Sequence, residues 1–357
     1  MGLFSNKQND YFLGIDIGDS SLKMVELRKK KKQVYLSNYA FSENVSEVNF
    51  TKIEDFEYLA KAINKVRLDA GISSQKAIVS LPTFSVFSSI ININSLGKKN
   101  LSLAVMEEAK KVIPLPMDEM TIDWRVIPDE NGKIPTKGNM RVFLTGSPKK
   151  LVRRYVDIFK AAKLSLLSLE TETFSLIRSL VGNDKSSVMI VEIGANSTDI
   201  SIVKESIPVL NRSLGVCSST VTKALSKSMG LSYSQAEQFK IDLASADRDR
   251  EGDQKNKNEN TIPPLIVKTI EPIITEIKYM LEFFSTHNSD SVEKIILSGG
   301  GALLAGLPEY LSKELDLKVI IGDPFSRIRY PKELEPVLQD VGPRLAVAIG
   351  LAMREVD

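Results

Sequence analysis

The stretch GIDIGDSSLKMVEL, residues 14–27, is answered far along the chain by VMIVEIGANSTDISIV, residues 188–203. Each reads as an apolar strand ending in an acid, then Ile-Gly, a run of small hydroxyl or amide residues, and a second apolar strand. A carboxylate just before a glycine turn can hold a hydrated divalent cation, while the exposed N–H and hydroxyl groups of the turn can wrap phosphate oxygens. Two such hairpins imply two halves closing on one nucleotide. Alone, either one is also compatible with an ordinary surface β-turn. In the first, Lys23 follows Asp16 by seven residues on the returning strand. The two can therefore face each other, one for a metal and one for phosphate.

At 357 residues the chain exceeds the usual single-domain size, and about two domains are expected. Its 43% hydrophobic and 26% charged residues are ordinary for a globular protein, and a formal charge of +2 is too small to imply a nucleic-acid binder. Cys217 is the only cysteine, which excludes an intrachain disulfide framework and fits a reducing cytoplasm. His287 is the only histidine. Zinc sites and Ser-His catalytic pairs need clustered imidazole or thiolate groups, so both are disfavoured. The segment MGLFSNKQND lacks a signal-peptide core and has Asn6 where a myristoylation motif wants Ser or Thr. Nowhere do about 18 apolar residues run uninterrupted, so no membrane-spanning helix is expected.

Outward from the first hairpin, strands alternate with amphipathic helices. A basic turn at 28–32 leads to a strand at 34–41, a helix at 56–66 that stops before Gly71, and a strand at 76–81. Residues 83–146 change character: a β-rich run at 84–93, a helix at 99–113 halted by Pro114, and strands at 121–127 and 141–146 around a Gly/Pro-rich loop. This reads as a small inserted subdomain. Pro148 suits the first turn of the next helix. After the second hairpin, at 187–210, come helices at 219–229, 232–243 and 265–285, with 244–264 expected as a polar loop. A strand at 294–297 runs into SGGGALLAGL, residues 298–307. Strand, glycine turn and helix in that order let backbone approach a ligand with a helix N-terminus aimed at it. A closing helix is expected at 342–354.

The order hairpin, hairpin, glycine turn resembles the actin-like ATPase superfamily of actin, sugar kinases, heat-shock chaperone ATPases and FtsA. That resemblance implies an α/β, actin-like (ribonuclease H-like) two-lobed fold with a small inserted α+β subdomain, binding ATP with Mg²⁺. Residues 11–82 and 147–185 with the closing helix 342–357 would form the first lobe, and 83–146 the inserted subdomain. Residues 186–211 and 290–341 would form the second lobe, and 212–289 a helical subdomain. Asp16, Gly18, Ser20, Ser21 and Lys23 would make one phosphate site; Glu192, Gly194, Asn196, Ser197 and Thr198 would make the other. Gly299, Gly300 and Gly301 would pass beneath the adenine. Glu237 and Lys240, three apart on one helical face, resemble the family pair that reaches the ribose; they are also a plausible plain surface ion pair. Asp16 and Glu192 would face the metal, and Glu172 aligns with the position that orients attacking water.

Within the superfamily the chain is similar to the PilM family of type IV pilus assembly, the most specific stretch being EEAKKVIPLPMDEMTIDWRVI, residues 107–127. That resemblance implies a cytoplasmic scaffold, held at the inner membrane through partners, that binds the N-terminal segment of a PilN-like bitopic membrane protein. The peptide would lie between the first lobe and the inserted subdomain, on Phe84, Val86, Ile113, Leu115 and Met117. Two departures stand out: Glu192 replaces the usual Asp, and Asp19 replaces a usual Ser or Thr. Two alternatives stay open, a small-molecule kinase using Asp123 or Asp199, and an FtsA-like filament former, although no FtsA-type amphipathic tail follows residue 354.

Overall fold

The computed structural model describes residues 11–18, 21–43, 56–95, 98–129, 133–135, 138–250, 262–287 and 290–356. Asp19, Ser20, the segment MGLFSNKQND and residues 251–261 lie outside them.

Two five-stranded sheets carry the two motifs, and their topologies are the same. The first is built from β1 (Tyr11–Ile17), β2 (Ser21–Lys30), β3 (Gln33–Glu43), β4 (Lys76–Leu81) and β8 (Ser165–Thr171), in the order β3-β2-β1-β4-β8. The second uses β9 (Val188–Ile193), β10 (Thr198–Lys204), β11 (Ile207–Leu214), β12 (Lys294–Ser298) and β13 (Lys318–Ile321), in the order β11-β10-β9-β12-β13. In each, three antiparallel strands are continued by two parallel ones. The parallel strands require crossover helices: α1 (Phe56–Asp69) before β4, α3 (Lys149–Ala161) before β8, and α8 (Leu307–Leu315) before β13. A third sheet, β5-β7-β6, comprises β5 (Phe87–Ser95), β6 (Met120–Val126) and β7 (Gly138–Pro148), with α2 (Lys98–Val112) packed on it.

The first motif hairpin is buried on both faces because its residues are apolar on both. Ile15, Leu22 and Met24 pack with α1 and α3 on one side of the first sheet, whereas Phe12, Val25 and Leu27 face α9 (Glu335–Met353) on the other. The α9 core also takes Val188, Ile190, Val203 and Ile296 from the second sheet, so one helix is sandwiched between both sheets. Close approach demands glycine here. A Cβ on Gly14 would lie 1.9 Å from the Ala348 carbonyl oxygen, and one on Gly350 would lie 1.9 Å from that of Ser175 in α4 (Glu172–Leu176). Gly14, the first residue of the deciding motif, therefore serves helix packing rather than the turn.

Several boundaries differ from the periodicity reading. The closing helix starts at Glu335 rather than near residue 342, because Pro336 occupies its first turn and Pro343 is accommodated within it. α6 (Tyr233–Arg250) continues through residues 244–250, which the polarity of the segment marked as loop. Pro148 ends β7 and caps α3 instead of sitting in its first turn. The glycine turn is also not followed directly by a helix. Gly300–Leu303 forms a 3-10 turn, and α8 begins only after Gly306, which sits at φ 67°. The remaining helices, α5 (Ser218–Met229) and α7 (Pro264–His287), bury apolar faces on the second sheet.

Candidate functional site

The tips of β1–β2 and β9–β10 face each other across a cavity of about 500 Å³. Asp16, Gly18, Ser21 and Lys23 reach it from the first hairpin, and Glu192, Gly194, Asn196 and Ser197 from the second. Gly299, Gly300 and Gly301 form one rim, while Glu237 and Lys240 of α6 form another. Ile270, Ile273, Leu304 and Leu307 add an apolar part to the lining.

The two hairpins differ in what stands across from the acid. In the first, Asp16 pairs in register with Lys23, whose Nζ donates to Asp16 Oδ2 at 2.8 Å; the Ser80 hydroxyl donates to Oδ1 at 3.0 Å. Burial alone would lower the Lys23 pKa, but the Asp16 charge and hydrogen bond outweigh it and raise it. In the second, Glu192 pairs in register with Asp199, so two carboxylates project from adjacent strands. Like charges opposed in this way repel at Cβ separations of about 5 Å. Burial, followed by Glu172, Asp16 and Asp199, pushes Glu192 well above the usual carboxylate range. Asp199 is raised by burial despite hydrogen bonds from Ser213 and Ser197, and its Oδ1 is buried without a hydrogen-bond partner among the described residues.

Glu172 completes the acidic side. It begins α4 at the end of β8, and its Oε2 accepts from the Thr83 N–H at 3.0 Å and hydroxyl at 2.9 Å. Burial and the charges of Asp16 and Asp199 nevertheless raise its pKa to about 8. The folded state thus holds this proton more tightly than the unfolded chain, whose carboxyl has a pKa near 4.5. Stability therefore falls as pH rises from about 4.5 to 8. Glu172→Gln keeps an acceptor for Thr83 and has no charge to bury. Relative to wild type it is expected to gain stability between pH 5 and pH 8, read from thermal midpoints in metal-free buffer; an unchanged difference would contradict this environment.

The α6 pair is embedded rather than a loose surface match. Lys240 Nζ donates to Glu237 Oε2 at 2.8 Å, to Ser218 Oγ at 2.8 Å and to Thr222 Oγ1 at 2.9 Å. It locks α6 to the start of α5. The helix N-terminus at the cavity is that of α5, through Ser218 and Ser219, and not one after the glycine turn. Gly299, at φ 79°, is required by the backbone itself, since a Cβ there would strike the Ile193 main chain, whereas a Cβ on Gly301 would strike the Ile193 side chain. Only Gly300 has open space, the nearest atom to its Cβ being Arg344 Cγ at 3.8 Å.

Comparison with known proteins fits this geometry. Residues 14–356 match the family model described as "Type IV pilus assembly protein PilM". The chain belongs to the PilM family. Over 342 residues it is 22% identical to the cell division protein FtsA of Streptococcus pneumoniae, covering 87% of this chain and 74% of FtsA. The fold is similar to that of the solved PilM-PilN type IV pilus biogenesis complex, with TM-score 0.80, 24% identity and coverage of 97% of this chain and 98% of that one. It is also similar to MreB5 of Spiroplasma citri bound to AMPPNP, with TM-score 0.53, 10% identity and coverage of 97% and 96%. The architecture is therefore actin-like, with three-stranded β5-β7-β6 and α2 as the small addition.

Not every residue expected at the site of this PilM-family chain is there. Thr198 is fully buried and donates its hydroxyl to the Val216 carbonyl, away from the cavity. Ser20 lies outside the described residues. Ile113, expected on a peptide groove, is 7% exposed and belongs to the α2 core, whereas Leu115 is exposed and Met117 is partly buried. Phe84 is exposed but lines the nucleotide-sized cavity, and Val86 packs against the first-sheet core. Asp123 does not line the cavity. Sequence reasoning missed Ser80, Thr83, Ser218 and Arg344. Ser80 had a usable signal, because it sits in β4 beside the strand that ends in Asp16.

Proposed function

We propose that this PilM-family protein is a cytoplasmic scaffold of type IV pilus assembly, with ATP and Mg²⁺ in the cavity between its two motif hairpins. The observation that carries the nucleotide reading is the convergence of both phosphate-type turns, the Asp16–Lys23 pair and the Glu192–Asp199 pair on one cavity. The donor set fits such a ligand. Lys23 offers positive charge to phosphate, and the orphaned Asp199 Oδ1 and crowded carboxylates call for a cation. Among the described residues, no group of three acids or imidazoles is close enough to hold a bare ion. A cation bound through Asp16 and Glu192 would take its other ligands from phosphate and water, as Mg²⁺ commonly does. When bound it would supply charge neutralisation. The chain's own part is to hold the phosphates with Lys23 and the turns, and to place Glu172 where it can orient water.

The partner reading rests on family membership and on the similarity in fold to the solved PilM-PilN complex. On this reading an N-terminal segment of a PilN-like bitopic inner-membrane protein lies against the β5-β7-β6 unit, using Phe84, Val86, Leu115 and Met117. Ile113 is better assigned to the unit's interior. Among the described residues no helix is long and apolar enough to cross a membrane, so contact with the inner membrane would be peripheral.

Leu115→Asp is expected to weaken binding of such a peptide about tenfold, measured by fluorescence anisotropy, with an unchanged melting curve. Ile113→Asp should instead unfold the three-stranded unit, because its charge would be buried without a partner. Peptide affinity unaffected by Leu115→Asp would place the groove elsewhere.

A further inference from the structure

The basic turn between β2 and β3 has no part in the cavity. It holds Arg28, Lys29, Lys30, Lys31 and Lys32, five consecutive cations in a chain whose formal charge is only +2, so the rest of the chain sums to −3. Lys29 to Lys32 are all exposed, and none forms an ion pair among the described residues. Lys31 occupies the left-handed region, φ 59°, where glycine or asparagine would be easier. The hairpin is anchored on both of its strands. Arg28 pairs with Tyr35 across the strands and stacks between the Tyr11 and Tyr35 rings at 5.9 and 5.8 Å. The edge strand β3 is fixed on its far side by Leu36 and Val34, which bond to the backbone of Arg329, itself exposed.

We infer that this hairpin tip is an electrostatic docking point for an anionic lipid surface. Three features favour a membrane over a macromolecular groove-binder. The four lysines are all exposed and cluster around the two-residue turn between paired Lys30 and Gln33, and none of them lines the cavity. Strand alternation sends Lys29 and Lys30 to opposite faces and the turn carries Lys31 and Lys32, a spread that matches diffuse charge better than a shaped site. Four of the five cations are lysines, point charges suited to diffuse attraction, whereas recognition of individual phosphates favours the arginine fork. The tip lies at the opposite end of β1 from Asp16, roughly 20 Å away at the usual strand rise. It is therefore separate from the nucleotide and peptide sites proposed above.

The test is flotation of the purified full chain with vesicles of phosphatidylcholine containing about one third phosphatidylglycerol, against pure phosphatidylcholine vesicles. Each lysine near an anionic surface contributes roughly fivefold to partitioning. Lys29→Gln, Lys30→Gln, Lys31→Gln and Lys32→Gln combined should lower partitioning by roughly six hundredfold if all four contribute fully, with the thermal midpoint unchanged. Binding should also vanish in about 0.5 M salt, where the screening length is only a few ångströms. Equal binding to both vesicle types, or partitioning retained by the quadruple variant, overturns the proposal. Stronger salt-sensitive binding to a single-stranded RNA oligonucleotide than to the anionic vesicles also overturns it. No partner protein or nucleotide is present in the assay, so failure here leaves the scaffold reading untouched.

Discussion

Replacing Asp16 with asparagine is expected to weaken Mg²⁺-dependent ATP binding about a hundredfold while affecting Mg²⁺-free binding far less. Asp16 has two tasks in the proposed site, holding Lys23 toward the phosphates and facing the cation. Charge-assisted hydrogen bonds contribute about 1.5–3 kcal/mol each, so losing both assignments amounts to about 3 kcal/mol. The choice of asparagine matters. Either neutral residue leaves Lys23, whose side chain is 18% exposed, without its counter-charge, at a cost of up to about 3–5 kcal/mol of folding stability, and alanine would in addition leave the Ser80 hydroxyl and the Lys23 amine without an acceptor. Asparagine keeps an acceptor for the Ser80 hydroxyl and shape for the Lys23 amine. Calorimetric titration with and without Mg²⁺, beside a melting curve, separates the two effects. A variant that binds MgATP as well as wild type would remove Asp16 from the metal side of the cavity.

The second large effect is on folding. Gly14→Ala and Gly350→Ala each place a methyl group 1.9 Å from a backbone carbonyl oxygen, one on α9 and one on α4. Inserting a methylene into an ordinary core costs about 1–3 kcal/mol, and side chains can usually yield. Here the obstacle is main chain, so helix α9 must move away from the first sheet or from α4. About 3 kcal/mol or more per substitution is expected, a large share of the roughly 5–15 kcal/mol that holds a domain together. Urea denaturation midpoints check it. Gly300→Ala is the matched control, because its Cβ meets nothing nearer than 3.8 Å. It should melt like wild type. If Gly14→Ala also did so, the tight seating of α9 would be wrong.

Much of the fold was legible because it is written in local pattern. Alternation and turn residues placed the β1–β2 hairpin and strand β4, and a 3.6-residue period located α1, α2, α5 and α7 within a few residues. The strands it did not find are β8 and β13, the fifth strands of the two sheets, and β11 as a third strand beyond the hairpin read at 187–210. Each lies at a sheet edge, and each alternates burial and exposure too irregularly to declare itself. Periodicity also stopped α6 too early, since a helix end without a glycine or proline has only polarity to mark it.

The candidate site divides along the same line. The sequence by itself determined both hairpins, the glycine turn and the spacing that sets Lys23 opposite Asp16, because residues within one hairpin meet through local register. Local register likewise sets Glu192 opposite Asp199, but only the tertiary structure decided that Glu172 arrives beside that pair, that Thr83 anchors Glu172, and that Thr198 turns inward. It also assigned Gly14 to α9 and the cavity-facing helix N-terminus to α5. These are meetings between elements up to hundreds of residues apart. Chain connectivity and packing select them, and no local propensity encodes which distant carboxylate or helix will arrive at a given strand tip.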